Sequence, residues 1–252
     1  MSVLSLANLY QLGTHRGNSK SKLNPRLKDR VYSYQNNICT IDLVSTIDSI
    51  NRVKDLFSKL GSRKKQILVV GTSAHIADTV MNYSSKIGSV QNPYVNVRWL
   101  GGCLTNWSTV RKSLKVLEKL ENMQSNDKFF STLARNEQLR IQREIEKKAK
   151  VFTGLKSMKT NKPGAVLILD TAKNPIAIKE AETMNIPVVA ICNTFTTTLP
   201  KNLEYTILCN NNSVSSVQFI LDELVESYNK GLAQAAEAVS QSKEKQTPAI
   251  VK

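Results

Sequence analysis

The chain switches its hydrophobic period repeatedly, and this limits its fold more than any other feature. Gln66–Val70, Tyr94–Val97, Ala165–Leu169, Pro187–Ile191 and Tyr205–Leu208 are short apolar runs that read as strands. Between the first two, Ile76, Val80, Tyr83 and Ile87 recur at intervals of four, three and four, one face of a helix. Asn174-Pro175 opens another helix, because Asn favours the N-cap and proline the first helical position; Asn185 can close it. Ser213 can cap a last helix carrying Val217, Ile220, Leu221, Leu224 and Tyr228, with Gly231 as its stop. Apolar strands alternating with helices predict an α/β fold: a mostly parallel sheet covered by helices on both faces.

Upstream, residues 3–12 form a short docking helix and Gly13–Arg30 reads as a basic loop. Val31–Tyr34 and Ile38–Ile41 flank Gln35-Asn36-Asn37, and asparagine tolerates the left-handed backbone of a tight turn, so a hairpin is expected. Ser45 with Asp48 resembles a capping box opening a helix to Leu60, which Gly61 stops. From Thr105, Trp107, Val110, Leu114, Leu117 and Glu121 share one stripe. Residues 122–132 interrupt it, and Ile141, Ile145, Ala149 and Phe152 resume helical spacing. This predicts an inserted helical hairpin over 105–152, shaped like a short antiparallel coiled coil. The α/β core then comprises 1–104 and 153–230, and 231–252 is a flexible C-terminal tail.

Charge narrows the function. The 252 residues carry a formal net charge of +15. Residues 1–65 hold 12 basic and 4 acidic side chains and residues 111–162 hold 14 and 6, whereas residues 163–252 hold 7 and 9. Concentration of positive charge on particular segments is the footprint of a polyanion-binding surface. In Arg16–Arg30, the cations Arg16, Lys20, Lys22, Arg26, Lys28 and Arg30 face one acid, Asp29. Arginine and lysine neutralise phosphates, so RNA contact fits these residues. Trp99 beside Arg98 is balanced between stacking on a base and core packing, while Trp107 lies on the apolar stripe and is expected in the core.

Other chemistries find less in the sequence. No run reaches the ~18–20 apolar residues of a membrane helix. Cys39, Cys103, Cys192 and Cys209 are widely spaced in apolar surroundings and read as reduced, buried thiols. The two histidines, His15 and His75, have no second metal ligand at i+3 or i+4, and no catalytic or metal site is expected. In a parallel sheet, ligands bind beyond the carboxyl ends of strands, where Gly71-Thr72-Ser73, Asp170 and Asn193-Thr194 fall. Gly71 could let a phosphate approach a helix N-terminus, but a glycine turn with Thr72 or Ser73 as N-cap is favoured. An enzyme binding a nucleotide or sugar phosphate at Gly71–Ser73 and Asp170 is therefore the alternative reading. A basic hairpin pairing with an acidic protein is a third.

Arg98-Trp99-Leu100-Gly101-Gly102-Cys103-Leu104-Thr105-Asn106-Trp107 resembles the R-W-L-G-G-x-L-T-N signature of the small-subunit ribosomal protein two family, bacterial and organellar type. Ile67–Thr72, Leu23–Lys28, Gly154–Met158, Ile178–Ala181, Ile186–Ala190 and Asn210–Ser216 resemble further family segments in the same order, over roughly residues 8–230. The resemblance implies a flavodoxin-like sheet with a coiled-coil insertion and a non-catalytic, structural role. It implies contact with small-subunit ribosomal RNA near the head–body junction and with other ribosomal proteins, including docking of the large protein one in bacteria. No cofactor, membrane or homo-oligomer is implied.

Carried onto this chain, the expected RNA-binding residues are Arg16, Lys20, Lys22, Arg26, Lys28, Arg30, Arg98, Trp99, Thr105, Asn106 and Arg111. Ser73-Ala74 replaces the usual Lys-Arg, Asn193 a usual aspartate and Leu23 a usual tryptophan. Such drift points to a mitochondrial ribosome, with plastid or bacterial cytoplasm as alternatives. The early start of the match leaves no room for a cleavable leader, so a mature or organelle-encoded chain is expected.

Overall fold

The computed structural model describes residues 4–88, 91–126, 130 and 132–244, with side chains to 237. Five strands, β4 (Ile67–Val70), β5 (Tyr94–Val95), β6 (Ala165–Ile168), β7 (Val188–Cys192) and β8 (Thr206–Leu208), form one sheet in the order β5-β4-β6-β7-β8. Every pairing is parallel, as in Ile67 opposite Ala165 and Ile168 opposite Ala190. Taken in chain order this is the 2-1-3-4-5 arrangement of flavodoxin-like folds. The strands are apolar throughout because both faces are covered. Ile67, Val69, Leu167, Val189 and Ile191 pack on one side and Leu68, Val70, Val166, Ile168 and Ala190 on the other.

On the first face lie α2 (Leu43–Ser62), α3 (Ala77–Lys86) and α7 (Val214–Glu244), burying Phe57, Val80, Ile220, Leu224 and Tyr228. On the second lie α6 (Pro175–Thr183), the start of α4 (Trp107–Ser125) and the buried Trp99 and Leu104. Among the described residues no helix is long and apolar enough to cross a membrane.

Several boundaries differ from the sequence reading. Asp42, not Ser45, caps α2, accepting from the backbone N–H groups of Val44 at 3.0 Å and Ser45 at 3.3 Å. Gly61 and Gly231 do not stop helices. They lie inside α2 and α7, buried, where a Cβ on Gly61 would collide with the Tyr228 carbonyl and one on Gly231 with the Ser58 carbonyl. The two glycines thus let α2 and α7 cross closely, and α7 continues to Glu244; residues 245–252 of the expected tail lie outside the described residues. Ser213 accepts from Ser216 N–H at 3.4 Å as expected of a cap. Asn185 closes α6 with φ 54°.

The expected basic loop is largely ordered into structure. β1 (Arg16–Ser19) joins the hairpin of β2 (Val31–Gln35) and β3 (Ile38–Ile41) in an antiparallel sheet ordered β1-β3-β2. Asn36 and Asn37 make the turn with φ 48° and 63°. Helical turns at Lys20–Lys22 and Pro25–Arg30 complete the segment, and α1 (Leu6–Gln11) precedes it.

The inserted region gives α4 and α5 (Arg135–Phe152). Val110 and Leu114 of α4 join the core with Leu155, and Leu117, on the same stripe, is buried outside that cluster. α5 buries no residue fully, and its stripe of Ile141, Ile145 and Ala149 stays half-buried. α4 thus packs on the α/β core through Val110 and Leu114 and also lies against α5, whose last residue Phe152 packs on the same core cluster.

Candidate nucleic-acid interface

The N-terminal basic segment is clamped over the carboxyl ends of β7 and β8. The Asn18 N–H donates to Thr194 Oγ1 at 2.7 Å and the Asn24 N–H to the Thr194 carbonyl at 3.1 Å. The Asn210 N–H donates to the Thr14 carbonyl at 3.1 Å. Leu27 and Ile41 bury against Cys192, Leu199 and Leu208.

This clamp divides the expected contact residues. Arg30 is half-buried, and its guanidinium donates to the carbonyls of Thr206 at 2.7 Å and Leu203 at 3.1 Å. Burial lowers its pKa from the usual arginine range. Arg26 donates to the carbonyls of Pro200 at 3.1 Å and Lys201 at 3.0 Å. These two side chains hold the fold through carbonyl contacts, a role the sequence reading did not give them. Arg16, Lys20, Lys22 and Lys28 are exposed; Lys20 sits 4.9 Å over the Tyr34 ring and Lys22 5.5 Å over that of Phe195.

The signature segment is organised by a residue the sequence reading did not single out. Glu180, on α6, is 7% exposed. Its Oε1 accepts from Trp99 Nε1 at 3.0 Å and Gly102 N–H at 2.7 Å. Its Oε2 accepts from Leu104 N–H at 3.0 Å and from the Thr105 N–H and hydroxyl, each at 3.4 Å. Gly102 takes φ 85°, a conformation open to glycine, which turns the chain around the carboxylate. Trp99 is buried with its indole N–H satisfied, so its ring packs in the core and not against a base. Arg98, Thr105, Asn106 and Arg111 are exposed. Burial, and then Glu180, push the Cys103 thiol up to about 12. The sequence signal for Glu180 was its place in Ile178–Ala181, a charged residue among apolar positions of a helix.

The crevice where β4 and β6 diverge is cross-linked by the protein's own groups. Ser73 Oγ donates to Asp170 Oδ2 at 2.6 Å, Thr72 Oγ1 to Asn174 Oδ1 at 3.2 Å, and Asn174 Nδ2 to the Asp170 carbonyl at 2.9 Å. Neither Thr72 nor Ser73 caps a helix by its side chain, because both point into this network. Gly71 serves helix packing: a Cβ there would lie 2.6 Å from Val80 Cγ2. Asp170 accepts from Ala172 N–H at 3.1 Å, the behaviour of a strand-end cap.

His15 stacks on Tyr10 with ring centroids 4.3 Å apart, and His75 Nε2 lies 3.3 Å from the Asn211 carbonyl. Among the described residues no group of three His, Cys, Asp or Glu side chains could hold a metal ion. All four cysteines are free and buried.

A family model for ribosomal protein S2 matches residues 9–231. The small ribosomal subunit protein uS2 of Acidothermus cellulolyticus is 34% identical over 249 residues, 98% of this chain and 88% of the relative. That of Treponema pallidum is 36% identical over 234 residues, 91% of this chain and 78% of the relative. That of Vibrio cholerae is 34% identical over 241 residues, covering 96% and 97%. These relatives are bacterial: they agree with the bacterial alternative and lend no support to the mitochondrial placement. The alternative reading as a phosphate-binding enzyme falls with the same match. With its signature loop, flavodoxin-like sheet and end-to-end similarity, the chain belongs to the ribosomal protein S2 family, whose members are structural proteins and not enzymes.

Proposed function

We propose that the protein is a structural constituent of a small ribosomal subunit, where it binds the subunit's RNA and neighbouring ribosomal proteins as a single copy. The observation that carries this reading is the state of Arg98 and Arg111. Both are exposed at either end of a segment pinned by Glu180, and neither takes an acidic partner among the described residues. Cations held ready by a stiff loop suit phosphates of a folded polynucleotide, since little side-chain and backbone order must be gained on binding. Arg16, Lys20, Lys22 and Lys28, with Thr105 and Asn106, extend this surface. Arg26, Arg30 and Trp99 act behind it by holding its shape. The bacterial relatives favour a ribosome of bacterial type.

Sedimentation tests the proposal. The tagged protein is expected to travel with small subunits in a gradient and to leave that position after nuclease treatment. On purified small-subunit RNA, ~6 phosphate contacts should cost roughly a thousandfold in affinity between 50 and 200 mM salt. A flat salt titration, or sedimentation unchanged by nuclease, would count against RNA as the partner.

A further inference from the structure

A groove of about 610 Å³ opens along α4, on the side away from the buried Val110, Leu114 and Leu117. Arg111, Lys112 and Lys115 line one wall, Trp107 lies in it, and Thr105, Ser108 and Asn161 supply hydroxyl and amide groups. Sites that hold small ligands span about 300–1,000 Å³, so the space suits a nucleotide unit.

The charge here is uncommitted. Lys148 pairs with Glu144 at 2.9 Å, Lys156 with Glu121 at 2.6 Å and Lys230 with Glu226 at 2.7 Å. The side chains of Arg111, Lys112 and Lys115 enter none of the ion pairs or side-chain hydrogen bonds among the described residues, although Glu118 stands one turn beyond Lys115. Three cations on one helical face, none of them paired with an acid among the described residues, repel one another unless an anion sits between them. The groove also opens at the N-terminal turn of α4, where the Asn106 carboxamide accepts from the hydroxyls of Ser108 and Thr109 instead of capping the backbone. Trp107 is half-buried: it packs on the core and still borders the groove, unlike Trp99. Cations beside an aromatic surface and a polar rim match a strand with one base turned out of its stack.

We propose that this groove binds RNA carrying an unpaired nucleotide, its phosphates held by Arg111, Lys112 and Lys115 and its base stacked on Trp107. The assignment rests on the RNA-binding reading above and goes further in naming the kind of RNA and the residues that distinguish it.

The test uses the full chain and two RNA hairpins of the same stem, one with a single-nucleotide bulge. The protein has two tryptophans, and Trp99 is sealed in the core, so quenching of fluorescence on binding reports Trp107. The bulged hairpin is expected to quench and to bind about tenfold more tightly than the paired one, the size of a single base–aromatic stack. Replacing Arg111, Lys112 and Lys115 together by glutamine should lower the magnitude of the log–log salt slope by about 2–3, roughly one per lost phosphate contact. Those side chains are exposed, so the variant should melt like the parent; Trp107→Leu should remove the quench and the preference for the bulge.

Equal binding and quenching by both hairpins, or no binding of the bulged one, would overturn the proposal. So would an unchanged salt slope in the triple variant, or equal quenching by polyglutamate, which would make the groove a dock for acidic protein. If the parent still sediments with small subunits in a nuclease-sensitive way, only the groove assignment fails. If it does not, the wider reading fails with it.

Discussion

Glu180 gathers five donors from four residues onto one buried carboxylate, so the shape of segment 99–105 depends on the charge and on both oxygens. Glutamine keeps the size but places an N–H₂ against either the Trp99 and Gly102 donors or those of Leu104 and Thr105. Leaving buried donors unmatched costs about 1–3 kcal/mol each, so Glu180→Gln should destabilise by about 2–3 kcal/mol, read as a lower urea midpoint with an unchanged slope. Arginine positions in the basic segment should separate in the same assay. Arg30→Gln loses two hydrogen bonds from a charged donor and should cost about 1–3 kcal/mol, whereas Lys28→Gln, at an exposed site, should stay within about 0.5 kcal/mol. Equal midpoints for these two variants would mean that the Arg30 contacts to Thr206 and Leu203 hold nothing. The sequence shows six similar cations here; which of them folds back on a carbonyl depends on loop 200–206, more than 170 positions away in the chain.

Elements show where local reading succeeds. Asn36-Asn37 and Ser213 act through neighbours within a few residues, and both are visible in the sequence. Gly61 and Gly231 are local features with a non-local cause, and they read wrongly as helix stops. Substituting alanine tests the difference by sign. Helix propensity alone gives a gain of about 1 kcal/mol for Gly→Ala inside a helix. The added methyl would meet backbone of the facing helix at Tyr228 or Ser58, which cannot swing aside, and overpacking typically costs about 1–3 kcal/mol or more. Gly61→Ala and Gly231→Ala should therefore each lower the melting temperature; a rise in either would mean that helix propensity outweighs the close crossing at that glycine. α4 and α5 make the same point at larger scale. Their similar periodicity predicts a matched pair, and the two helices do lie against each other, but α4 also gives Val110 and Leu114 to the core, whereas α5 reaches it only through Phe152 at its end.

At the scale of the whole molecule, the protein covers with its own chain part of the sheet end that an enzyme of this architecture would leave open. β1–β3 and the turns after β1 lie over β7 and β8, and Asp170 ties Ser73 to Asn174 by hydrogen bonds between β4 and β6. Dense burial has a pH signature. Cys103 and Cys192 are pushed up from 9.0 to about 12, chiefly by burial. Because the folded values are raised, their contribution to stability is complete below about pH 9. It falls as the unfolded thiols ionise, and is lost as pH passes about 12. Tyr83, raised by burial and by its bond to Asp222, adds to the loss from about pH 10. The urea midpoint should drop steadily between about pH 9 and 11 at constant salt; a flat profile would mean these groups are solvated in the folded state. Period and order along the chain were enough to specify strands, helices and parallel pairing, because backbone geometry repeats every two or 3.6 residues and leaves its trace locally, and the signature Arg98–Trp107 carried the resemblance to the family. Which charges stay free for a partner, which tryptophan is sealed, and which carboxylate shapes the signature loop were settled only by folding, since each depends on groups distant in sequence that compete for the same hydrogen bonds and the same space.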